Sequence, residues 1–128
     1  MRIAIFGSGG VGGYFGGRLA QAGYDVVFIA RGENLAVIQK SGLRVNSIAG
    51  DFILNKVQAT DDPKTVGQVD VVLCAVKSWQ VGAAAKSMAP MIGDDTLVVP
   101  LQNGIEAAGQ LAALFGTDTV LGGLCALI

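Results

Sequence analysis

Ile3-Ala4-Ile5-Phe6-Gly7-Ser8-Gly9-Gly10-Val11-Gly12 stands almost at the start of this chain, and its reading decides the fold. An apolar run of strand length leads straight into a G-x-G-x-x-G segment. A helical pattern follows, then a second apolar run, Val26-Val27-Phe28-Ile29. A glycine-rich hexamer alone discriminates little. Placed between a predicted strand and a predicted helix, at the head of a β-α-β unit, it signals a dinucleotide-binding loop. Gly7 permits the tight turn off the strand. Gly9 lets the backbone approach a pyrophosphate with no Cβ in the way, and Gly12 allows helix and strand to pack closely. Ser8, Gly10 and Val11 complete the loop. The helix that follows turns its unpaired N–H groups and positive dipole end toward the phosphates.

The tip of the second strand discriminates between dinucleotides. NAD-selective sites usually place Asp or Glu there, hydrogen-bonded to the ribose 2′-OH. This chain has Ala30 and then Arg31. A guanidinium is a planar, permanently charged fork suited to a phosphate, so the expected cofactor is NADP(H). Glu33 is within reach of a ribose hydroxyl, but it also suits the first turn of the next helix, where the dipole favours a carboxylate.

A chain of 128 residues fits one domain with a real core. It is 52% hydrophobic and 15% charged, the balance of a fold whose parallel strands are apolar on both faces. The excess also suits an apolar face covered by another domain. Net charge is −1 with no basic cluster, which argues against nucleic acid as a partner. No uncharged stretch approaches the ~20 apolar residues of a membrane span. Seven glycines from Gly7 to Gly17 make a poor signal-peptide core, so a cytoplasmic location is expected. Cys74 and Cys125 lie in apolar runs and read as small buried hydrophobes rather than a disulfide or metal pair. With no histidine present, proton transfer falls to Lys, a carboxylate, Tyr or water, and no metal site is expected.

The remaining pattern alternates strands and helices, which predicts an α/β, doubly wound Rossmann-type, mostly parallel sheet. Strands are expected at 2–6, 25–30, 57–59, 69–76, 96–99 and from 120 onward. Helices are expected at 10–22, 33–40, 78–91 and 105–114, with Gly23 closing the first and Ser78 capping the third. Between them, 43–47 and 52–57 read as an inserted β-hairpin around Ala49-Gly50-Asp51, and Pro63 starts a short helix. The sequence stops within an apolar run, Cys125-Ala126-Leu127-Ile128, which suggests a fragment of a longer protein.

In an open α/β sheet ligands bind beyond the carboxyl ends of the strands. Lys77-Ser78-Trp79-Gln80 and Leu101-Gln102-Asn103-Gly104 are expected there with the glycine loop. An ammonium at Lys77 can hold a phosphate, a substrate carboxylate or a carbonyl oxygen. Asn103 can donate and accept hydrogen bonds toward a carboxamide or hydroxyl, although Asn-Gly is also a common turn pair.

Taken with Ala30-Arg31-Gly32, these segments resemble the N-terminal domain of ketopantoate reductase, also called 2-dehydropantoate 2-reductase, over the whole chain. The resemblance implies NADPH-dependent reduction of 2-dehydropantoate to (R)-pantoate, a step toward pantothenate and coenzyme A. It implies that Gly7, Gly9 and Gly12 bind pyrophosphate, that Arg31 binds the 2′-phosphate, and that Lys77 and Asn103 lie near cofactor and substrate. It also implies a helical C-terminal domain, beyond Ile128, that supplies the proton-donating lysine. No catalytic residue is therefore expected within this chain, and the chain alone is expected to bind cofactor without turnover. A homodimer is left open. Two other readings stand beside this one: an NADP-dependent reductase of another 2-oxo or hydroxy acid, and a nucleotide-sensing regulatory domain. The second of these usually carries an acidic residue at the strand-two tip, which Ala30-Arg31 lacks.

Overall fold

The computed structural model describes residues 1–7, 9–102 and 106–121. Numbered in chain order, the strands are β1 (Arg2–Phe6), β2 (Asp25–Ile29), β3 (Leu43–Val45), β4 (Phe52–Leu54), β5 (Gln58–Thr60), β6 (Val69–Cys74) and β7 (Ile92–Pro100). The α-helices are α1 (Gly10–Gln21), α2 (Gly32–Ser41), α3 (Pro63–Val66), α4 (Val81–Met88) and α5 (Glu106–Phe115). Five strands form one parallel sheet in the order β5-β2-β1-β6-β7. β3 and β4 pair antiparallel as a separate hairpin. The expected doubly wound α/β architecture with an inserted hairpin is what the chain adopts.

Strand β1 is central because it is apolar on both faces. Ile3 and Ile5 join one core cluster and Ala4 and Phe6 the other, as the two-residue period of a strand requires. The first cluster sits under α1 and the hairpin, with Val26, Phe28, Leu43, Val45 and Phe52. The second sits under α4 and α5, with Val72, Val81, Met88, Val98 and Leu111. Helix α1 lies close on the sheet because its inner face is glycine. A Cβ at Gly16 would come 2.6 Å from Ile5 and Phe28 side-chain carbons, and one at Gly17 2.9 Å from Phe52. Arg18 then clamps the hairpin to the helix, its guanidinium 4.4 Å over the Phe52 ring and donating to the Gly50 carbonyl at 3.0 Å.

At Gly23 (φ 97°) the chain leaves α1 by the expected left-handed turn, with Tyr24 N–H donating to the Leu19 carbonyl. Pro63 opens α3, with the Asp62 carboxylate accepting from Lys64 N–H at 3.0 Å. The predicted helix at 78–91 is broken into three pieces: a 3-10 turn (Ser78–Gln80), α4, and a second 3-10 turn (Ala89–Met91). Pro90 lacks the N–H that an α-helix needs there. Lys77, not Ser78, is the residue that caps the first piece.

Strand β7 begins at Ile92, earlier than its apolar core suggests. The register slips between Val69 and Val71 opposite it, and buried Thr96 bridges the irregularity. Its hydroxyl accepts from Gly93 N–H at 2.8 Å and donates to the Val69 carbonyl at 2.6 Å. β6 is shorter than predicted and ends at Cys74, so Ala75 and Val76 pass into the loop beyond the sheet. Val120 makes a parallel bridge to Val98, Leu121 N–H donates to the Val98 carbonyl at 2.9 Å, and residues 122–128 of the predicted strand, with Cys125, lie outside the described residues. No helix among the described residues is long and apolar enough to cross a membrane.

Candidate functional site

Because β1 sends the chain back toward β2 on one side while β6 leads toward β7 on the other, the strand order reverses between β1 and β6. That reversal opens a crevice at the carboxyl ends of the strands. A cavity of about 320 Å³ lies there. Its walls come from the glycine loop, the β2 tip, the residues after β5 and the turn between β6 and α4. The lining includes Gly7, Gly9, Ala30, Arg31, Lys77 and Gln80.

The loop geometry explains each glycine differently. Gly7 has φ 97°, and a Cβ on it would come 2.9 Å from Val76 N. At Gly12 a Cβ would overlap the Gly7 carbonyl and press on Ala75, so helix α1 begins flush against its own loop. Gly9 is the N-cap of α1 and has no side chain to cap it. Beyond the adjoining residues, a Cβ there or at Gly10 would meet nothing within 4 Å among the described residues. The space over Gly9 at the α1 N-terminus is therefore open to a ligand, and a phosphate group suits the dipole there. Gly10 and Val11 form the first turn of α1. Ser8 lies outside the described residues.

Arg31 sits at the N-cap of α2 in extended conformation and offers no side-chain cap. Glu33 falls in the first turn of α2 and is not part of the cavity wall, so Arg31 is the charged side chain the β2 tip presents there. Lys77 lies across the cavity on an exposed turn. Its own N–H donates to the Gln80 Oε1 at 3.1 Å, while Gln80 N–H donates to the Lys77 carbonyl at 2.8 Å. Among the described residues neither cation has an ion-pair partner. Gly7, Gly9, Arg31 and Lys77 are thus brought to one cavity, and a helix N-terminus and two cations converge on it. Two cations and a helix N-terminus give the cavity the chemistry to accept a multiply charged anion, with the Asp61 carboxylate in the same wall. Asn103 lies outside the described residues.

Gln80 lies in the cavity wall as expected of its segment, though without an individual role, whereas Asp61, which lines the cavity just beyond β5, was not expected there. Both roles were findable: Asp61 follows a strand end, where site residues gather, and Gln80 stands at the three-residue spacing of a reciprocal cap after Lys77. Gln102, quoted in its segment but given no individual role, is buried beneath the site with its Nε2 donating to the Val76 carbonyl at 2.7 Å. Trp79 was expected at the cleft, but it is 80% exposed on the turn beside the cavity rather than in its wall.

Comparison with known proteins bears on this geometry. The family model described as Ketopantoate reductase PanE/ApbA matches residues 3–127. The chain is 37% identical over 126 residues to a 2-dehydropantoate 2-reductase of Nostoc sp., covering 98% of this chain and 39% of that protein. It superposes with TM-score 0.90 and 36% identity on the crystal structure of 2-dehydropantoate 2-reductase from Geobacter metallireducens, covering 95% of this chain and 40% of that one. It also superposes with TM-score 0.87 and 26% identity on D-mandelate dehydrogenase in a ternary structure with NADH and anilino(oxo)acetate, covering 97% and 40%. The chain therefore spans about two-fifths of the length of these relatives.

Proposed function

The chain belongs to the ketopantoate reductase family, and on that premise we propose that it is the cofactor-binding domain of an NADPH-dependent reductase of 2-dehydropantoate. Family and fold together imply a nicotinamide cofactor. The choice of NADPH, the pathway toward pantothenate, the cytoplasmic location and the roles of individual residues are parts of the proposal.

One observation carries it: Arg31, with no carboxylate at the β2 tip, lines the same cavity as the glycine loop and Lys77. In this reading the α1 N-terminus over Gly9, with the neighbouring loop residues Ser8, Gly10 and Val11, holds the pyrophosphate. Arg31 forks onto the 2′-phosphate. Lys77 holds the cofactor from the opposite wall and, with Asn103, helps place the substrate. A reduced nicotinamide bound here supplies the hydride, and the protein supplies orientation and charge. A ketone that becomes an alcohol needs a cation or acid at its oxygen. Lys77 contributes positive charge on that side, and the proton donor belongs to the remaining part of the longer relatives' architecture. The domain alone then binds cofactor without turning over substrate.

A second reading is an NADH-linked reductase of another 2-oxo acid. It is favoured by the Asp61 carboxylate in the cavity wall, which could accept from a ribose hydroxyl, and by the likeness to a dehydrogenase solved with NADH. Parallel fluorescence titrations with NADPH and NADH separate the two. Energy transfer from Trp79, on the turn beside the cavity, reports binding. Tight NADPH and weak NADH support the first reading, and the reverse supports the second. The substrate is tested by NADPH oxidation with 2-dehydropantoate in the full-length protein; turnover of a different 2-oxo acid alone overturns that part.

A further inference from the structure

Strand β6 ends at Cys74, and the chain must still deliver Lys77 to the cavity wall. The peptide that joins Val76 to Lys77 has left the sheet ladder, yet both of its polar groups are held. Its carbonyl accepts from Gln102 Nε2 at 2.7 Å, and its N–H donates to Gln80 Oε1 at 3.1 Å. Two glutamine side chains thus stand where neighbouring strands would otherwise be. They fix the plane of the peptide from which the Lys77 side chain departs.

Gln102 is the costlier of the two. It is 8% exposed, its Nε2 also lies 3.7 Å from Cys74 Sγ, and its Oε1 is buried without a partner among the described residues. An apolar side chain would remove that unpaired acceptor but strip the Val76 carbonyl of its donor, so the carboxamide serves the peptide it holds rather than the packing around it. The amide orientation is settled by the Val76 carbonyl, which only the NH2 end can satisfy. The same segment also abuts the glycine loop, since Val76 N lies where a Gly7 Cβ would be crowded.

We propose that Gln102 is a positioning residue that sets the place of Lys77 in the cofactor cavity. This rests on the reading of Lys77 as a cofactor-holding residue. Gln102 reaches no ligand itself; it acts through the Val76–Lys77 peptide.

The test is a double-mutant cycle on NADPH affinity with Gln102→Met and Lys77→Ala, with circular dichroism and thermal melts alongside. Methionine keeps the volume and removes the donor. Gln102→Met should weaken binding roughly three- to tenfold, the scale of one lost hydrogen bond, and should have almost no further effect once Lys77 is alanine. An equal loss in both backgrounds overturns the positioning role and leaves the Lys77 reading intact. A neutral Lys77→Ala overturns the Lys77 reading, and the proposal with it. Should Gln102→Met fail to fold, Gln102→Glu serves instead. Its carboxyl donates to the Val76 carbonyl only when protonated, so its affinity relative to the original protein should recover as pH falls from about 8 toward about 5.5. A deficit independent of pH, or failure of both variants to fold, assigns Gln102 to the core alone and overturns the proposal.

Discussion

The Cα of Gly12 faces the carbonyl of Gly7 so closely that a Cβ at position 12 would occupy that oxygen's space. The loop has little slack on that side, since a Cβ added at Gly7 would come 2.9 Å from Val76 N. Gly12→Ala should therefore push α1 away from its loop, at a cost of about 1–3 kcal/mol of stability or more, and cofactor binding should fall with it. Thermal unfolding and a titration check both; an unchanged melting temperature would show that the loop yields.

Gly9 gives the opposite expectation. Its backbone is extended, φ −67° and ψ −166°, and space beyond its Cα is open. Gly9→Val should fold normally by circular dichroism and melt near the original temperature, yet lose binding of both NADPH and NADH. Retained affinity would count against a phosphate cradle at this position.

Arg31 supplies the third expectation. With no side-chain role in capping α2, its removal should leave the fold untouched. Arg31→Ala should weaken NADPH by about 1–3 kcal/mol, the scale of a charge-assisted contact, and leave NADH nearly unchanged. Raised ionic strength should weaken NADPH binding to the original protein as well, since Arg31 is exposed to solvent. Equal losses for the two cofactors would remove the 2′-phosphate from the account.

How much of this could be read from residues alone depended on whether the signal was local. The first β-α-β unit was legible because each of its parts constrains a few neighbouring residues: Ile3 to Phe6, the glycine turn, the Gly23 exit. The hairpin was legible for the same reason. What escaped depended on pairings distant in the chain. The early start of β7 needs Thr96 to satisfy Val69, 27 residues away. The meeting of Gln102 with Val76 joins two loops that only the sheet brings side by side. The helix predicted at 78–91 failed locally, at Pro90, where periodicity outvoted a known breaker. In the cavity, Arg31 and Lys77 were readable from their places after strands. Asp61 was missed although its short strand was expected, because the Pro63 just beyond it reads as a helix start rather than part of a site.

Cys74 makes stability depend on pH in the alkaline range. Burial pushes its thiol up, and hydrogen bonding from Gln102 and the Val76 backbone offsets part of that rise. The folded state therefore holds its proton at a pH where the unfolded chain, near the ordinary thiol value of about 8.5, has released it. With fewer protons bound in the unfolded state, stability falls as pH rises above that value, by at most about 1.4 kcal/mol per pH unit. It levels off beyond the folded pKa. Below about pH 8 this group contributes no slope. Unfolding by denaturant across the alkaline range should show a steeper decline for the original protein than for Cys74→Ala, whose loss from the core lowers stability without adding pH dependence. Parallel curves would mean that the thiolate finds compensation in the fold.

Thr96 offers the sharpest test of the edge beyond β6. Its hydroxyl is buried, 3% exposed, and serves two backbone groups at once, the Gly93 N–H and the Val69 carbonyl. Both lie at the register slip between β6 and β7, so the ladder does not take over if the hydroxyl is lost. Thr96→Val preserves shape and β-branching while removing donor and acceptor together. Leaving those groups unpaired should cost about 1–3 kcal/mol, more than the burial of one extra methyl group returns at about 0.8 kcal/mol. Thr96→Ser keeps the hydroxyl and should recover most of the hydrogen-bond loss, short of the missing methyl. The site lies at the amino end of β6, opposite the cavity, so cofactor affinity should be the same in all three proteins while the melting temperatures separate. A Thr96→Val protein as stable as the original would mean that the strands re-register without the bulge, and hydrogen exchange at Gly93 and Val71 would then show new protection.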